Sequence, residues 1–132
     1  MSCAGRTGIK LYNIELYENA AGFSQVWKFL EELQNKALSN KDARIQHKQV
    51  SLYIELLRLN GTRLNDNITK HLDDGIWELR PGNNRIFYFF SCGETYVLLH
   101  QFRKKTQKTP KREIERAKSE REDYLNRKGI IK

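Results

Sequence analysis

Three short apolar runs between residues 75 and 110, separated by two turn clusters, most constrain the fold of this chain. The first cluster reads P-G-N-N at 81–84 and the second reads S-C-G-E at 91–94. Apolar runs bounded by Gly, Pro and Asn are typical of strands joined by tight turns. The pattern therefore predicts a three-stranded antiparallel meander, with Pro81-Gly82 as the central pair of a type II turn. The middle run is apolar at nearly every position, which indicates a central strand buried on both faces.

The residues before the meander predict one strand and then two helices. Residues 9–18 alternate between apolar and polar side chains, which indicates a half-buried strand. Ser24 is a good cap for a first helix. Ser39, with Asp42 at capping-box spacing, starts a second helix that stops at Gly61. Two helices joined by a short link form a hairpin whose apolar faces need a sheet to lie on.

The remaining segments are an irregular stretch and a last helix. Residues 62–74 are polar and aperiodic, so we expect them to wrap across the sheet edge without regular structure. Thr109 and Pro110 suit the cap and the first position of a C-terminal helix. The predicted fold class is α+β: an N-terminal strand, a helical hairpin packed on a small twisted antiparallel sheet, and a C-terminal helix. At 132 residues the chain is expected to form one domain, 1–132, of which 1–8 are interpreted as disordered or as a remnant of an expression vector.

The charge of the chain is concentrated near its C-terminal end. The formal net charge is +8, and residues 100–132 hold 12 Lys and Arg against 5 Asp and Glu. Six basic residues and no acidic one lie between 103 and 112, a stretch called the basic segment below. A run of this kind binds a phosphate backbone without reading its sequence, although it would also suit a solubilising tail. The preferred interpretation is a nucleic-acid partner.

The cysteines and the hydropathy favour a cytoplasmic protein. Cys3 and Cys92 lie far apart and form no C-x-x-C pair, which suggests reduced thiols. No long apolar run suggests a secretion signal or a membrane span. The three histidines are widely spaced, and phosphate-loop and dinucleotide motifs are missing, so no metal or cofactor is expected.

Arg80 and Arg85 flank the first turn of the meander. Paired guanidiniums suit bidentate contact with a phosphate, although spacing alone favours two surface arginines that pair with Glu78 or Glu94. Cleavage of RNA through its 2′-OH needs a base, an acid and stabilisation of the phosphorane, but no metal. His100, near the end of the third run, belongs to the residue type that most readily exchanges protons near neutral pH. A lysine among other cations is a second candidate base.

Several segments together resemble a known family. They are W-E-L-R at 77–80, R-I-F-Y at 85–88 and F-R-K-K-T-Q-K-T-P at 102–110. With their order and spacing, the chain from about residue 10 to 128 closely resembles the phage-derived Gp49-like branch of the RelE/HigB toxins. The resemblance implies a microbial-RNase-like fold and the toxin of a bacterial type II toxin–antitoxin pair. It also implies a metal-independent, ribosome-dependent mRNA endoribonuclease that inhibits translation.

The resemblance also implies partners and site residues. A cognate helix-turn-helix antitoxin neutralises such toxins, and promoter DNA is bound only through that complex. Arg80 and Arg85 match positions that contact the scissile phosphate, and with His100 and Lys104 they form the predicted catalytic group. The predicted RNA-binding residues are Lys70, Arg103, Lys105, Lys108, Lys111 and Arg112. Family members differ in their acid and base, and some use a C-terminal tyrosine, but the register of Tyr124 here indicates core packing.

Two other functions remain open at this stage. The related ParE-like branch shares the fold but inhibits DNA gyrase without catalysis, and a plain RNA-binding module would also be basic. A cluster of Arg, His and Lys around one hairpin favours the nuclease, because a gyrase inhibitor does not need one.

Overall fold

In a computed structural model, residues 11–129 are described and form a five-stranded sheet with helices on both faces. The strand order is β1-β5-β4-β3-β2, so that β4 lies at the centre as predicted. β1 runs parallel to β5 and the other neighbours are antiparallel, which makes the sheet mixed rather than wholly antiparallel. The elements are β1 (Asn13–Leu16), α1 (Gln25–Lys36), α2 (Lys41–Asn60), β2 (Thr69–Asp73), β3 (Ile76–Leu79), β4 (Asn84–Ser91), β5 (Thr95–Arg103) and α3 (Lys111–Arg127). The predicted α+β class is confirmed, and the expectation for residues 1–8 lies outside the described residues.

The helical hairpin of α1 and α2 covers one face of the sheet. Ser24 caps α1 by accepting a hydrogen bond from the Trp27 amide, as predicted. The cap of α2 is Asn40, which accepts from the Ala43 amide, so the prediction of Ser39 was wrong by one residue. Asn and Ser are about equally good caps, so the residue type does not distinguish Ser39 from Asn40. The position of Asn40 three residues before the free Ala43 amide decides between them. Val26, Val50, Leu57, Tyr88 and Leu98 are among the buried side chains of the core beneath this hairpin.

The segment predicted to be irregular contains strand β2. Thr69 pairs with Leu79 and Lys70 with Glu78, which extends the meander by one edge strand. This correction has a simple cause: an edge strand with one exposed side needs little apolar sequence, and T-K-H-L-D gives no alternating pattern.

The turn between β3 and β4 lies one residue later than predicted. The Asn84 amide donates to the carbonyl of Pro81, so Gly82 and Asn83 are its central residues. Gly82 has φ +62° at the first of these positions, which is typical of a type II′ turn and not of the predicted type II turn. The turn packs close to α2, because a Cβ at Gly82 would stand 2.7 Å from Oε1 of Gln49.

An irregularity in β5 changes which side chains face which helix. Phe87 pairs with His100 and Tyr88 with Leu98, so Leu99 is an extra residue in β5. An extra residue shifts the alternation of the strand by one. As a result Leu99 and His100 lie on the same face, toward α3.

Helix α3 covers the other face of the sheet. The N-cap of α3 is Pro110, which makes no side-chain hydrogen bond to the helix. The prediction of Thr109 as the cap was therefore wrong by one residue. Ala117 and Tyr124 are buried against Phe87, Phe89 and other apolar side chains of this face. The hydroxyl of Tyr124 donates to Glu15, so the predicted core position of this tyrosine is confirmed.

Two further findings concern Cys92 and the helices. Cys92 lies in the turn between β4 and β5 and is disulfide-bonded, in contrast to the expected reduced thiol; the other cysteine of the sequence, Cys3, lies outside the described residues. Within residues 11–129, none of the three helices has the length and apolar character needed to cross a bilayer.

Candidate active site

The predicted arginine pair, Arg80 and Arg85, lies at one end of the sheet on the face toward α3. Arg80 follows the last residue of β3, and Arg85 is the second residue of β4. Both side chains turn to the same carboxylate: Nε of Arg80 lies 3.2 Å and Nε of Arg85 lies 3.7 Å from Oε2 of Glu78. The geometry brings the two guanidiniums together, as predicted. Glu78 is also one of the two acidic partners that the alternative interpretation of the sequence named.

Arg85 is fixed inside the protein. Its side chain is 5% exposed, and Nη1 donates to the carbonyls of Gly82 and Asn84 at 2.8 and 2.9 Å. Burial lowers the pKa of Arg85, and Glu78 opposes that effect. Its buried Nε has no hydrogen-bond partner, because Glu78 is too distant for a bond. A buried donor without a partner is costly, and it marks a place where an additional acceptor would be stabilised.

Arg80 is the more accessible member of the pair. Its side chain is 25% exposed, and Nη1 donates to the carbonyl of Asp66 at 2.8 Å. Its amide continues the ladder toward β2 by donating to Ile68. Arg80 is therefore held on two sides while part of its side chain faces solvent.

His100 does not belong to this accessible group. Its side chain has no exposed surface, and its ring lies 4.9 Å from that of Phe87. Nδ1 lies 2.6 Å from Glu120 and Nε2 lies 2.9 Å from Glu113, so α3 engages both ring nitrogens. The strand and the helix leave no path for RNA to either nitrogen. The geometry argues against the predicted role of His100 as an acid or base, and the physical reason is the extra residue in β5 that turns it under α3.

The basic segment leaves the sheet next to the arginine pair. The Lys104 amide donates to the Asn83 carbonyl at 2.7 Å, which places the start of the segment beside the first turn of the meander. Lys105 and Lys108 are exposed in the connection to α3. Lys111 and Arg112 are exposed at the start of α3.

Arg103 differs from the rest of the basic segment. It pairs with Asn84 across β4, and its Nη1 donates to Gln46 of α2 at 2.9 Å. Arg103 therefore belongs to the face under the helical hairpin, whereas the arginine pair lies on the face toward α3. The structure does not bring it to the same face as the predicted catalytic arginines.

Lys70 lies on β2, directly opposite Glu78. Paired residues of antiparallel strands project to the same face, so Lys70 stands on the side of Arg80 and Arg85. It is exposed. Lys70 is one of the predicted RNA-binding residues, and this register places it on the face of the arginines.

Two residues at the centre of the site were not predicted as functional. Glu78 joins the two arginines, and Thr109 donates to Oε1 of Glu78 at 3.0 Å. In the sequence Glu78 stands two residues before Arg80, so the alternation of a strand puts both side chains on one face. This spacing could have identified Glu78 as part of the site. Thr109 was interpreted as a helix cap, and only the docking of α3 shows its contact with a strand residue.

The main cavity of the described residues lies away from this site. A cavity of about 890 Å³ lies at the opposite end of β3 and β4, and none of the ten predicted site residues lines it. Among residues 11–129 no group of three His, Cys, Asp or Glu side chains is arranged to hold a metal ion.

Comparison with known proteins places this chain in a family. Residues 31–122, more than two thirds of the chain, match the family described as "Phage derived protein Gp49-like (DUF891)". The chain belongs to the Gp49-like family. This is a RelE/HigB-like toxin family of toxin–antitoxin systems, as the resemblance of the sequence implied. No curated protein shows significant similarity to the chain. The matched span of this Gp49-like chain runs from within α1 into α3 and includes both arginines, Glu78 and the whole basic segment.

Proposed function

We propose that this Gp49-like chain is the toxin of a type II toxin–antitoxin pair and cleaves mRNA on the ribosome without a metal. The observation that carries the proposal is the convergence of two guanidiniums on one carboxylate, with a buried Arg85 Nε that lacks an acceptor. Arg80 and Arg85 bind the scissile phosphate and stabilise the phosphorane charge. Translating ribosomes as the site of action place the protein in the cytoplasm.

The basic segment supplies the docking surface. Lys104, Lys105 and Lys108 follow the last strand at the end of the sheet that holds the arginine pair, and Lys111 and Arg112 continue the charge onto α3. These cations bind the phosphate backbone of RNA and so hold the chain near the arginines.

Proton transfer falls to lysines in this proposal, because His100 is enclosed. Lys70 stands opposite Glu78 on the accessible edge strand, and Lys104 leaves the sheet beside the turn that precedes Arg85. Either amine can take the 2′-OH proton only in its neutral form, and the other, in its protonated form, can give a proton to the leaving 5′-oxygen. The roles of base and acid are assigned to this pair of lysines and not to a single one of them.

The partners follow from the same proposal. The family implies an antitoxin, and we propose a helix-turn-helix protein that neutralises the toxin and carries the complex to promoter DNA. One observation favours a second candidate, a non-catalytic inhibitor such as a gyrase poison: the described site lacks an accessible histidine. That candidate needs no acid or base.

The test is a translation reaction in which mRNA 5′ ends are mapped after the protein is added. We expect cuts at defined positions within codons, and their loss in Arg80→Ala and Arg85→Ala. Arg58→Ala is the matched control, because Arg58 is an arginine of α2 whose guanidinium pairs with Glu55 of its own helix. Intact mRNA together with arrested DNA supercoiling would favour the gyrase inhibitor.

A salt series tests the docking surface. Ribosome affinity should fall steeply with salt, and each lost phosphate contact should reduce the slope of log affinity against log salt by about 0.7 for single-stranded RNA. We expect Lys104→Ala, Lys105→Ala and Lys108→Ala to flatten that slope. Lys28→Ala on α1 is the control that should leave it unchanged. If the three lysine variants of the basic segment kept the wild-type slope, as Lys28→Ala should, this role of the basic segment would be contradicted.

A further inference from the structure

Glu78 is an acidic residue enclosed in a site that must bind an anion. Its side chain is 2% exposed, and its strand neighbour opposite is Lys70. A buried carboxylate is costly unless cations and hydrogen bonds compensate it. Here both kinds of compensation come from residues of the proposed site.

Each oxygen of Glu78 has a distinct partner. Oε2 faces the Nε atoms of Arg80 at 3.2 Å and of Arg85 at 3.7 Å, while Oε1 accepts from the Thr109 hydroxyl at 3.0 Å. Thr109 lies 31 residues further along the chain, within the basic segment and just before α3. The carboxylate is thus held from one side and attracts the arginines from the other.

The remaining contacts of the two arginines leave the same atom free on each. Nη1 of Arg80 donates to Asp66, and Nη1 of Arg85 donates to Gly82 and Asn84. Across residues 11–129, no hydrogen bond engages Nη2 of either guanidinium. Backbone carbonyls hold Nη1, Glu78 faces Nε, and Nη2 remains for a ligand.

We infer that Glu78 is a positioning residue that holds the Arg80 and Arg85 guanidiniums against their mutual repulsion, so that both Nη2 atoms address one phosphate. Two guanidiniums share one carboxylate, so the group retains positive charge for an incoming phosphodiester. Thr109 fixes the carboxylate and ties the basic segment to the same point. This inference rests on the proposed function, because the phosphate is that of the mRNA.

The kinetic test compares Glu78→Gln with wild type on programmed ribosomes. The variant keeps an oxygen for Thr109 but loses the charge that holds the arginines. We expect the single-turnover cleavage rate to fall about 10- to 100-fold, the effect of one charge-assisted hydrogen bond. We expect KM not to rise, because removing a negative charge from an anion site does not weaken phosphate binding. Glu115→Gln, on an exposed glutamate of α3, makes the same charge change as a control.

A second measurement separates positioning from general stability. In wild-type protein the Nε–H signals of Arg80 and Arg85 should be resolved in a nitrogen–proton spectrum, because Nε of Arg80 lies 3.2 Å from Glu78 and Nε of Arg85 is buried. Glu78→Gln should broaden both signals and speed their exchange with water. Thr109→Val, which keeps the carboxylate charge, should broaden them less. Thermal unfolding of each variant shows whether the fold is intact, and Thr109→Val carries the test if Glu78→Gln does not fold.

The outcomes distinguish the inference from the proposed function. If wild type cuts mRNA and Glu78→Gln cuts at the same rate with unchanged arginine signals, the positioning role is overturned. If wild type cuts no mRNA, the proposed function fails. In that case broadened arginine signals in the variant would still support Glu78 as the residue that holds the pair, and unchanged signals would overturn it.

Discussion

Replacement of His100 by alanine should destabilise the protein by about 3–5 kcal/mol, because two carboxylates lose a buried hydrogen-bond partner and the imidazole leaves a cavity. The ring has no exposed surface and bonds both Glu113 and Glu120 of α3. Each charge-assisted bond contributes about 1.5–3 kcal/mol. The two glutamates are 16% and 13% exposed, so water can replace only part of what they lose. Alanine also leaves a cavity beside Phe87, whose ring packs on the imidazole.

The assay is urea unfolding followed by tryptophan fluorescence, with the free energy of unfolding extrapolated to zero denaturant. A loss of this size is a large share of the roughly 5–15 kcal/mol of a typical domain. His71→Ala is the matched control, because His71 is exposed on β2 and accepts one bond from the Gly75 amide. We expect the control to cost less than about 1 kcal/mol.

The same variant decides between a structural and a catalytic His100. At low temperature, where His100→Ala remains folded, a structural role predicts a cleavage rate near that of wild type. A stability within about 1 kcal/mol of wild type combined with lost cleavage would refute the reasoning and return His100 to the catalytic group. A double-mutant cycle with Glu120→Ala should give a coupling energy above about 1 kcal/mol if the contact stabilises the fold.

Three further predictions test other parts of the fold. Asn40→Ala removes the cap of α2 and should cost about 1 kcal/mol in urea unfolding, whereas Ser39→Ala should cost nearly nothing. Gly82→Ala should cost about 1–2 kcal/mol and slow cleavage, because an L residue is strained at φ +62° and its Cβ would meet Gln49; a variant as stable as wild type would contradict the turn geometry. Burial, with a hydrogen bond to Asp123, raises the pKa of Tyr17 to about 12. The stability from this contact should be complete below pH 10 and disappear as the pH rises through 12; Tyr17→Phe should abolish that loss in alkaline unfolding curves.

The meander was predictable because its signals are local. Turn residues at 81–84 and 91–94 bound the strands, and an unbroken apolar run marks β4 as the centre. Arg80 and the exit of the third strand lie at one end of the sheet, as the pairing of Arg85 with Phe102 shows. Connectivity alone decides this, since the first and third strands of a meander run parallel.

The burial of His100 was not predictable from the same signals. The run V-L-L-H-Q contains no glycine or proline to mark an extra residue, and simple alternation places His100 on the face of the helical hairpin. Leu99 and His100 share the α3 face only because β5 carries one residue more than β4 across Phe87 and Tyr88. The sequence shows Glu113 and Glu120 on α3, but it does not show that both contact His100.

Helix α3 joins the stability of this protein to its proposed chemistry. The same docking that closes Glu113 and Glu120 over His100 brings Thr109, just before the helix, onto Glu78. A substitution that loosens α3 therefore weakens the support of a carboxylate that faces both arginines, although it touches neither of them. Loss of cleavage in a variant of α3 is consequently no evidence of a catalytic role unless its free energy of unfolding matches that of wild type. By this criterion Glu78 and His100 are distinguishable: Glu78→Gln should reduce the cleavage rate of the molecules that remain folded, and His100→Ala should reduce stability while molecules that keep α3 docked cleave at the wild-type rate.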